Sequence, residues 1–311
     1  MINRLIFFLI FVIIFPLYSW AQTNPLTDTT TIVKMDTNWR KGGISGLNFS
    51  NVGLENWAGG GSNMISVTGF STLFSYYKTD KMAWDNTLDI GYGIVKQGKE
   101  DLRKSDDRLI FGSKLGYNAT PKLLYTALLD FRTQFDLGYD YTKKEPNSDR
   151  ALLISDFMSP AYLSLGLGMN YKPDDAWQFY LSAVSNRLII VLNEELSAKG
   201  AYGVNPGEKI FSQLGAAANI LFQKDIFENV NLRSRLNLFS AYDRFTSVVV
   251  TSETAINMKV NSFINATFNL DIIYDDKVKI VRSDDTVGPA TQIRHVIGIG
   301  IAYKFGHERS S

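Results

Sequence analysis

The sequence predicts an all-β fold: a transmembrane, antiparallel, up-and-down β-barrel of about twelve strands, with short periplasmic turns and longer extracellular loops. Three observations predict it. Apolar and polar residues alternate with period two through residues 42–305, connections between the alternating segments are mostly short and long by turns, and aromatic residues on the apolar phase collect at the segment ends.

The chain opens with Arg4, an apolar run over residues 5–17 and then Ser19-Trp20-Ala21, which places small residues where a signal peptidase inspects them. That run is shorter than the ~20 residues of a spanning helix. Residues 1–21 are therefore expected to be a signal peptide and 22–41 a periplasmic leader, followed by the barrel at 42–305 and a tail at 306–311. No later window is a long apolar run, which leaves a secreted soluble β-protein or a membrane barrel.

Strands are expected near 42–52, 62–78, 82–97, 106–118, 122–139, 160–172, 176–190, 208–223, 229–242, 247–260, 263–275 and 291–305. In the first, Ile44 falls out of phase with Leu47 and Phe49, which suggests a bulge at Ser45 and Gly46. The fifth is clearest. Tyr125, Ala127, Leu129, Phe131, Phe135, Leu137 and Tyr139 share one face, against Thr126, Asp130, Arg132, Gln134 and Asp136. The last reads Ile293, Ile297, Ile299, Ile301, Tyr303 and Phe305 against Arg294, Gly298, Gly300 and Lys304. An even strand count puts both termini in the periplasm, and an open edge in hydrocarbon would leave each backbone group unpaired, so the first strand must meet the last. With this topology two aromatic belts are expected: Tyr76, Trp84, Tyr117, Tyr125, Tyr171, Trp177, Phe222 and Phe305 at the short-turn end, and Tyr92, Tyr139, Tyr242 and Tyr274 at the loop end.

Composition removes several function classes. With no cysteine, a disulfide framework, a thiolate metal site and a lipid anchor on a mature N-terminal Cys are all excluded. Lys and Arg number 32 against 31 Asp and Glu, so there is no basis for a nucleic-acid surface.

Short segments also resemble a known family. Asn56-Trp57-Ala58-Gly59-Gly60-Gly61, Trp84-Asp85-Asn86, Lys104-Ser105-Asp106-Asp107, Phe131-Arg132-Thr133-Gln134-Phe135, the stretch from Ser155-Asp156-Phe157 through Ser159-Pro160-Ala161-Tyr162, and Ile273-Tyr274-Asp275-Asp276 follow in order. This order is similar to an uncharacterised family of outer-membrane β-barrel proteins common in Bacteroidetes, classed as a domain of unknown function. The resemblance runs from about Trp39 to Phe305. It implies fold and location and brings no catalytic or binding residues. The closing Tyr303-Lys304-Phe305 resembles the aromatic-ending strand that barrel-insertion machinery recognises, although six residues follow it.

Candidate chemistry lies on the inward phase. Asp130, Arg132, Arg233, Arg235, Lys259, Asp271 and Arg294 are the expected lumen-lining residues, in company with Asp85, Asp89, Arg108, Lys114, Asp136 and Lys304. They either line a hydrated pore or pair with one another and fill it. Arg132, Arg233 and Arg235 are the candidates for contact with an anionic solute. Trp57 beside three glycines, and Phe157 and Tyr162 in the long fifth-to-sixth connection, are candidate loop contacts. No catalytic, cofactor or metal residues are expected. The aspartate pairs 106–107, 174–175, 275–276 and 284–285 read as solvated turn residues. A surface lipid hydrolase is a remote alternative, since His295 lies on the lipid-facing phase without a convincing serine partner. Two functions stay open: a porin-like channel for small solutes, and a structural or accessory subunit of a larger outer-membrane complex. Expected partners are outer-membrane lipid and lipopolysaccharide, the insertion machinery, and other outer-membrane or lipoprotein subunits.

Overall fold

The computed structural model describes residues 38–52, 63–145, 148–261, 264–281 and 286–306. The expected signal peptide, most of the leader, Trp57, Asp284, Asp285 and residues 307–311 lie outside them. The strands are β1 (Trp39–Val52), β2 (Met64–Lys78), β3 (Met82–Gln97), β4 (Arg103–Thr120), β5 (Leu123–Thr133), β6 (Gly138–Lys144), β7 (Ala151–Ser155), β8 (Ala161–Tyr171), β9 (Trp177–Ile190), β10 (Ile210–Phe227), β11 (Val230–Ala241), β12 (Val248–Lys259), β13 (Ile264–Tyr274), β14 (Ile280–Val281), β15 (Val287–Gly288) and β16 (Gln292–Gly306). Twelve of them close into one antiparallel barrel in the order β1-β16-β13-β12-β11-β10-β9-β8-β5-β4-β3-β2. The hairpins β6–β7 and β14–β15 stand apart in the loops.

Closure is made by β1 and β16, in unbroken register from Gly42 opposite Gly306 to Asn48 opposite Gly300. That seam leaves no exposed sheet edge, which hydrocarbon would penalise by several kcal/mol for each unpaired group. The expected bulge at Ser45 and Gly46 is absent, because β1 also runs in step with β2 through these residues. The phase break is resolved differently. Ile44 turns inward opposite Thr72, while Leu47 and Phe49 face out, more than half exposed.

The exterior is apolar. On β16 Ile293, Ile297, Ile299, Ile301 and Tyr303 are 59–75% exposed, a stripe that only a nonpolar solvent tolerates. Leu165, Leu167, Met169 and Tyr171 repeat it on β8, with Gly166 and Asn170 buried between them. No helix among the described residues is long and apolar enough to cross a membrane, so the strands alone present this surface.

The aromatic belt at the short-turn end is dense. Trp39 packs on Tyr77 and Trp84 at 4.9 and 6.0 Å, Trp177 on Phe179 and Phe222, and Tyr303 stacks on Phe305, with Tyr117 and Tyr125 more than half exposed beside them. One expected member is misplaced. Tyr76 lies opposite Asp85, stacks on Phe74 at 4.9 Å and faces the interior; its neighbour Tyr77 takes the outer position. The loop-end belt is thinner than expected, because Tyr139 belongs to β6, outside the barrel, and Tyr92 donates from its hydroxyl to Asp136 at 2.8 Å.

That displacement has a clear origin. Residues 122–139 alternate as one strand in sequence, but the ladder ends at Thr133. Beyond it the backbone N–H groups of Phe135 and Asp136 donate to the Asp107 carboxylate, at 2.9 and 3.0 Å, instead of to a neighbouring strand. Lys104 donates to the Asp136 carbonyl at 2.6 Å. The chain is thereby led out of the wall, and the continuing alternation serves the β6–β7 hairpin.

A single bulge matters for the wall. β9 shifts register against both neighbours around Ser182 and Ala183. The Ser182 hydroxyl lies 2.7 Å from the Leu167 carbonyl and 2.9 Å from that of Val184, and the Tyr242 hydroxyl, approaching over the outer surface, donates to the carbonyl of Ala183. A carbonyl that the bulge would leave facing lipid is thus satisfied.

Candidate functional site

The long-loop end is roofed by a small apolar core. Ile189, Val191, Leu196 and Val204 are buried together, with Leu153, Tyr162, Tyr202 and Phe211 packed around them. Asn193 caps the short helix α1 (Glu194–Ala198) by accepting from the backbone of Glu195 and Leu196 at 3.1 Å. Lys199 ties the helix to the β6–β7 hairpin through Glu145 at 3.0 Å and to Glu195 at 2.8 Å. The backbone N–H of Leu153, then Lys199, hold the Glu145 carboxyl below its usual range. Burial works against the charge on Lys199, but the two carboxylates outweigh it and raise its pKa. Burial pushes the Tyr202 phenol up to about 12.

Of the expected loop contacts, Phe157 is half exposed in the turn between Asp156 and Ser159. Tyr162 is not in the loop: it is the second residue of β8, opposite Arg132 and Ile189, with the Arg187 guanidinium 5.4 Å above its ring. Arg187 also reaches Asp275 at 2.6 Å and Gln213 at 3.3 Å. The Arg187–Asp275 pair joins β9 to the end of β13, four strands along the ring, with side chains 10% and 2% exposed.

Below the roof the lumen is crossed by charge. Arg235, Glu253, Asp271 and Arg294 are direct neighbours in register on β11, β12, β13 and β16. From the far wall Arg132 on β5 donates to Asp130 at 2.7 Å and to Glu253. β5 and β12 are five strands apart one way round the ring and seven the other, so this ion pair spans the barrel almost diametrically. Arg294 bonds Asp271 at 2.7 Å and crosses to Asp106 on β4 at 3.0 Å. Asp106 also holds Arg108, which donates to Asp89 at 2.8 Å, and Thr72 donates to Asp89 at 3.1 Å. Gly91 makes room for this. A Cβ there would stand 2.7 Å from the Arg108 guanidinium carbon.

Five expected lumen residues thus enter a network of two separate clusters: Asp130, Arg132 and Arg235 join Glu253, while Asp271 and Arg294 join Asp89, Asp106 and Arg108. Arg235 is loosely held, 3.8 Å from Glu253. Arg233 faces the same lumen nearer the short turns, with no hydrogen bond or ion pair among the described residues. Lys259 stands exposed at the rim, away from the network. The Lys304 side chain lies outside what is described, and Asp136 is beyond the end of β5. Sequence reading did not single out Glu253, or find the Arg187–Asp275 contact, since alternation assigns a face and not a partner across it. The signal for Glu253 was present: it is an acid on the inward phase of a strand otherwise free of acids.

An apolar exterior, a hydrogen-bonded ring without edges and a charged interior together define an integral β-barrel protein of the outer membrane. Residues 49–139 match the model of a family described as "Protein of unknown function (DUF3078)". The comparison with curated proteins gave no match. Among solved structures, the COG4313 outer membrane channel from Pseudomonas putida F1 aligns over 90% of this chain and all of its own, at 12% identity and a TM-score of 0.41. The translocator domain of the autotransporter NalP from Neisseria meningitidis aligns over 86% of this chain and 89% of its own, at 11% identity and a TM-score of 0.40. The Pseudomonas putida toluene transporter TodX covers 86% of this chain with 79% of its own, at 10% identity and a TM-score of 0.29.

Proposed function

We propose that this protein is a normally closed outer-membrane channel for small polar solutes, with the Arg132–Glu253 crossing as its gate. In this reading the short turns and both chain ends face the periplasm, residues 1–21 direct export, and the roofed loops face outward among lipopolysaccharide. The observation that carries it is an ion pair reaching across the lumen between side chains that are 22% and 28% exposed. Ion pairs in contact with solvent are worth only ~0–1 kcal/mol each, so they exchange readily for water or for a passing ion. A barrel that served only as scaffold would be filled more stably by apolar side chains than by a charged web.

Reconstitution in planar bilayers tests this. Expected are infrequent, voltage-promoted openings, more frequent when the crossing is removed; silence of both the native protein and a Glu253→Gln variant across a wide voltage range would sink it. A second reading, an accessory subunit of a larger outer-membrane assembly, draws on the packed roof over the outer mouth and the half-exposed Phe157 on it. It calls for stable co-purification after mild detergent extraction, and a protein that always elutes alone counts against it.

A further inference from the structure

The two halves of the lumen differ in charge. Towards the long loops, Arg108, Arg132 and Arg294 each have a carboxylate within 3.0 Å or in direct contact. Towards the short turns this balance fails. Arg233 is the fourth residue of β11 and directs its side chain inward, yet its guanidinium, with several N–H donors, meets no acceptor. The Tyr76 hydroxyl, within electrostatic reach of Arg233, Asp85, Arg40 and Arg235, also makes no hydrogen bond among the described residues. Lys114 has only neutral neighbours at contact distance: the amide oxygens of Gln178 and Asn170, at 3.3 and 3.5 Å, and the Tyr180 ring at 6.0 Å. It too lies within electrostatic reach of Arg235.

Two carboxylates face this stretch among the described residues. Asp85, opposite Lys114 in register, has its nearest ion pair with Lys172 at 4.0 Å, and Asp225 sits at the rim accepting from Asn231 at 2.8 Å. Neither bonds Arg233, and the two carboxylates within its electrostatic reach, Glu253 and Asp89, are bonded to Arg132 and Arg108. Guanidinium and ammonium groups repel where the neighbouring carboxylates are already bonded elsewhere, and an anion with several acceptor oxygens relieves this.

We infer that the short-turn half of the lumen is a binding site for a small multivalent oxyanion of the phosphate class, held by Arg233 and Arg235, which share one face of β11, with the Tyr76 hydroxyl beside them and Lys114 adding positive potential. The planar forks of Arg233 and Arg235 suit the oxygens of such a group, and Lys114 adds positive potential from the opposite wall. More than one unneutralised cation favours a dianion over chloride or a monocarboxylate. This deepens the lumen reading above by naming a ligand class, and it rests on that reading only in needing solvent access from the short-turn end.

Equilibrium titration of the full-length mature protein in detergent, by calorimetry, separates the two, since it reads occupancy and not conduction. Inorganic phosphate is the probe, with acetate and sodium chloride at matched ionic strength beside it. Expected is saturable phosphate binding, weakened about tenfold or more by Arg233→Gln and by Arg235→Gln singly, in line with the loss of a charge-assisted contact. Arg294→Gln, which removes a positive charge from the other half, should leave it nearly unchanged. Heat-modifiable gel mobility checks that each barrel is folded, and if one variant fails to fold the other still decides. Absence of saturable binding by the native protein overturns the inference. So does equal affinity for acetate, or equal weakening by Arg294→Gln, which would mean only diffuse attraction to positive charge.

Discussion

Replacing Glu253 with glutamine keeps side-chain shape and removes the charge that Arg132 meets across the lumen. A fully exposed pair contributes ~0–1 kcal/mol, and breaking a buried one costs ~3–5 kcal/mol. The two side chains here are 22% and 28% exposed, and Arg132 keeps Asp130 at 2.7 Å as a second partner. Both facts reduce the loss, to about 1–2 kcal/mol. If the crossing holds the lumen shut, that loss shifts the balance of open and closed states about five- to thirtyfold towards open. Single-channel recording at fixed voltage measures the shift directly as open probability. Lys144→Gln, which breaks only the solvent-exposed Lys144–Asp149 contact on the β6–β7 hairpin, serves as control and should change nothing. A folded Glu253→Gln barrel with the open probability of the native protein would refute the reasoning.

Other perturbations test the remaining structure. Asp275→Asn strands the Arg187 guanidinium in a buried setting and should cost about 3–5 kcal/mol, read as a lower unfolding midpoint in detergent. Tyr242→Phe deprives the bulge carbonyl of Ala183 of its donor on the oil-facing surface; about 1–3 kcal/mol of stability should be lost in denaturant titration from lipid vesicles, and an unchanged midpoint would show that the bulge needs no cap. The roof tie between Glu145 and Lys199 should depend on pH. The folded-state pKa of Glu145 is depressed, so its contribution is complete above the unfolded value of about 4.3 and is lost as pH falls through the folded value. Protease cleavage in the β6–β7 hairpin should therefore accelerate in acid, and equal rates at pH 7 and below pH 4.3 would contradict the assignment.

Much of the wall was legible before any coordinates. A strand shows alternate residues to opposite sides, so Leu165, Leu167 and Met169 against Gly166 and Asn170, or Ile297 and Ile299 against Gly298, carry their orientation in the chain itself. The errors arose where local alternation was ambiguous or outlived the ladder. Tyr76 and Tyr77 are adjacent aromatics, and only pairing with Asp85 and Trp84 decides which one meets lipid. Ile44 looked like evidence for a bulge because a single apolar residue inside a large polar lumen is harmless and leaves no other trace. Residues 134–139 kept the period of a strand while the Asp107 carboxylate, 28 residues from Phe135 along the chain, captured their N–H groups.

What the amino-acid order determined by itself, then, is an oil-compatible outside, a charged inside and a ring with short turns at one end, because each follows from a period of two and from turn length. The partners inside the ring were decided only by closure. Arg132 and Glu253 are 121 positions apart and meet because twelve strands bend round until β5 faces β12. Closure likewise gave Glu253 and Asp89 to Arg132 and Arg108 and left Arg233 without an ion pair among the described residues. Period-two alternation is a local property, whereas charge balance across a lumen belongs to the closed ring.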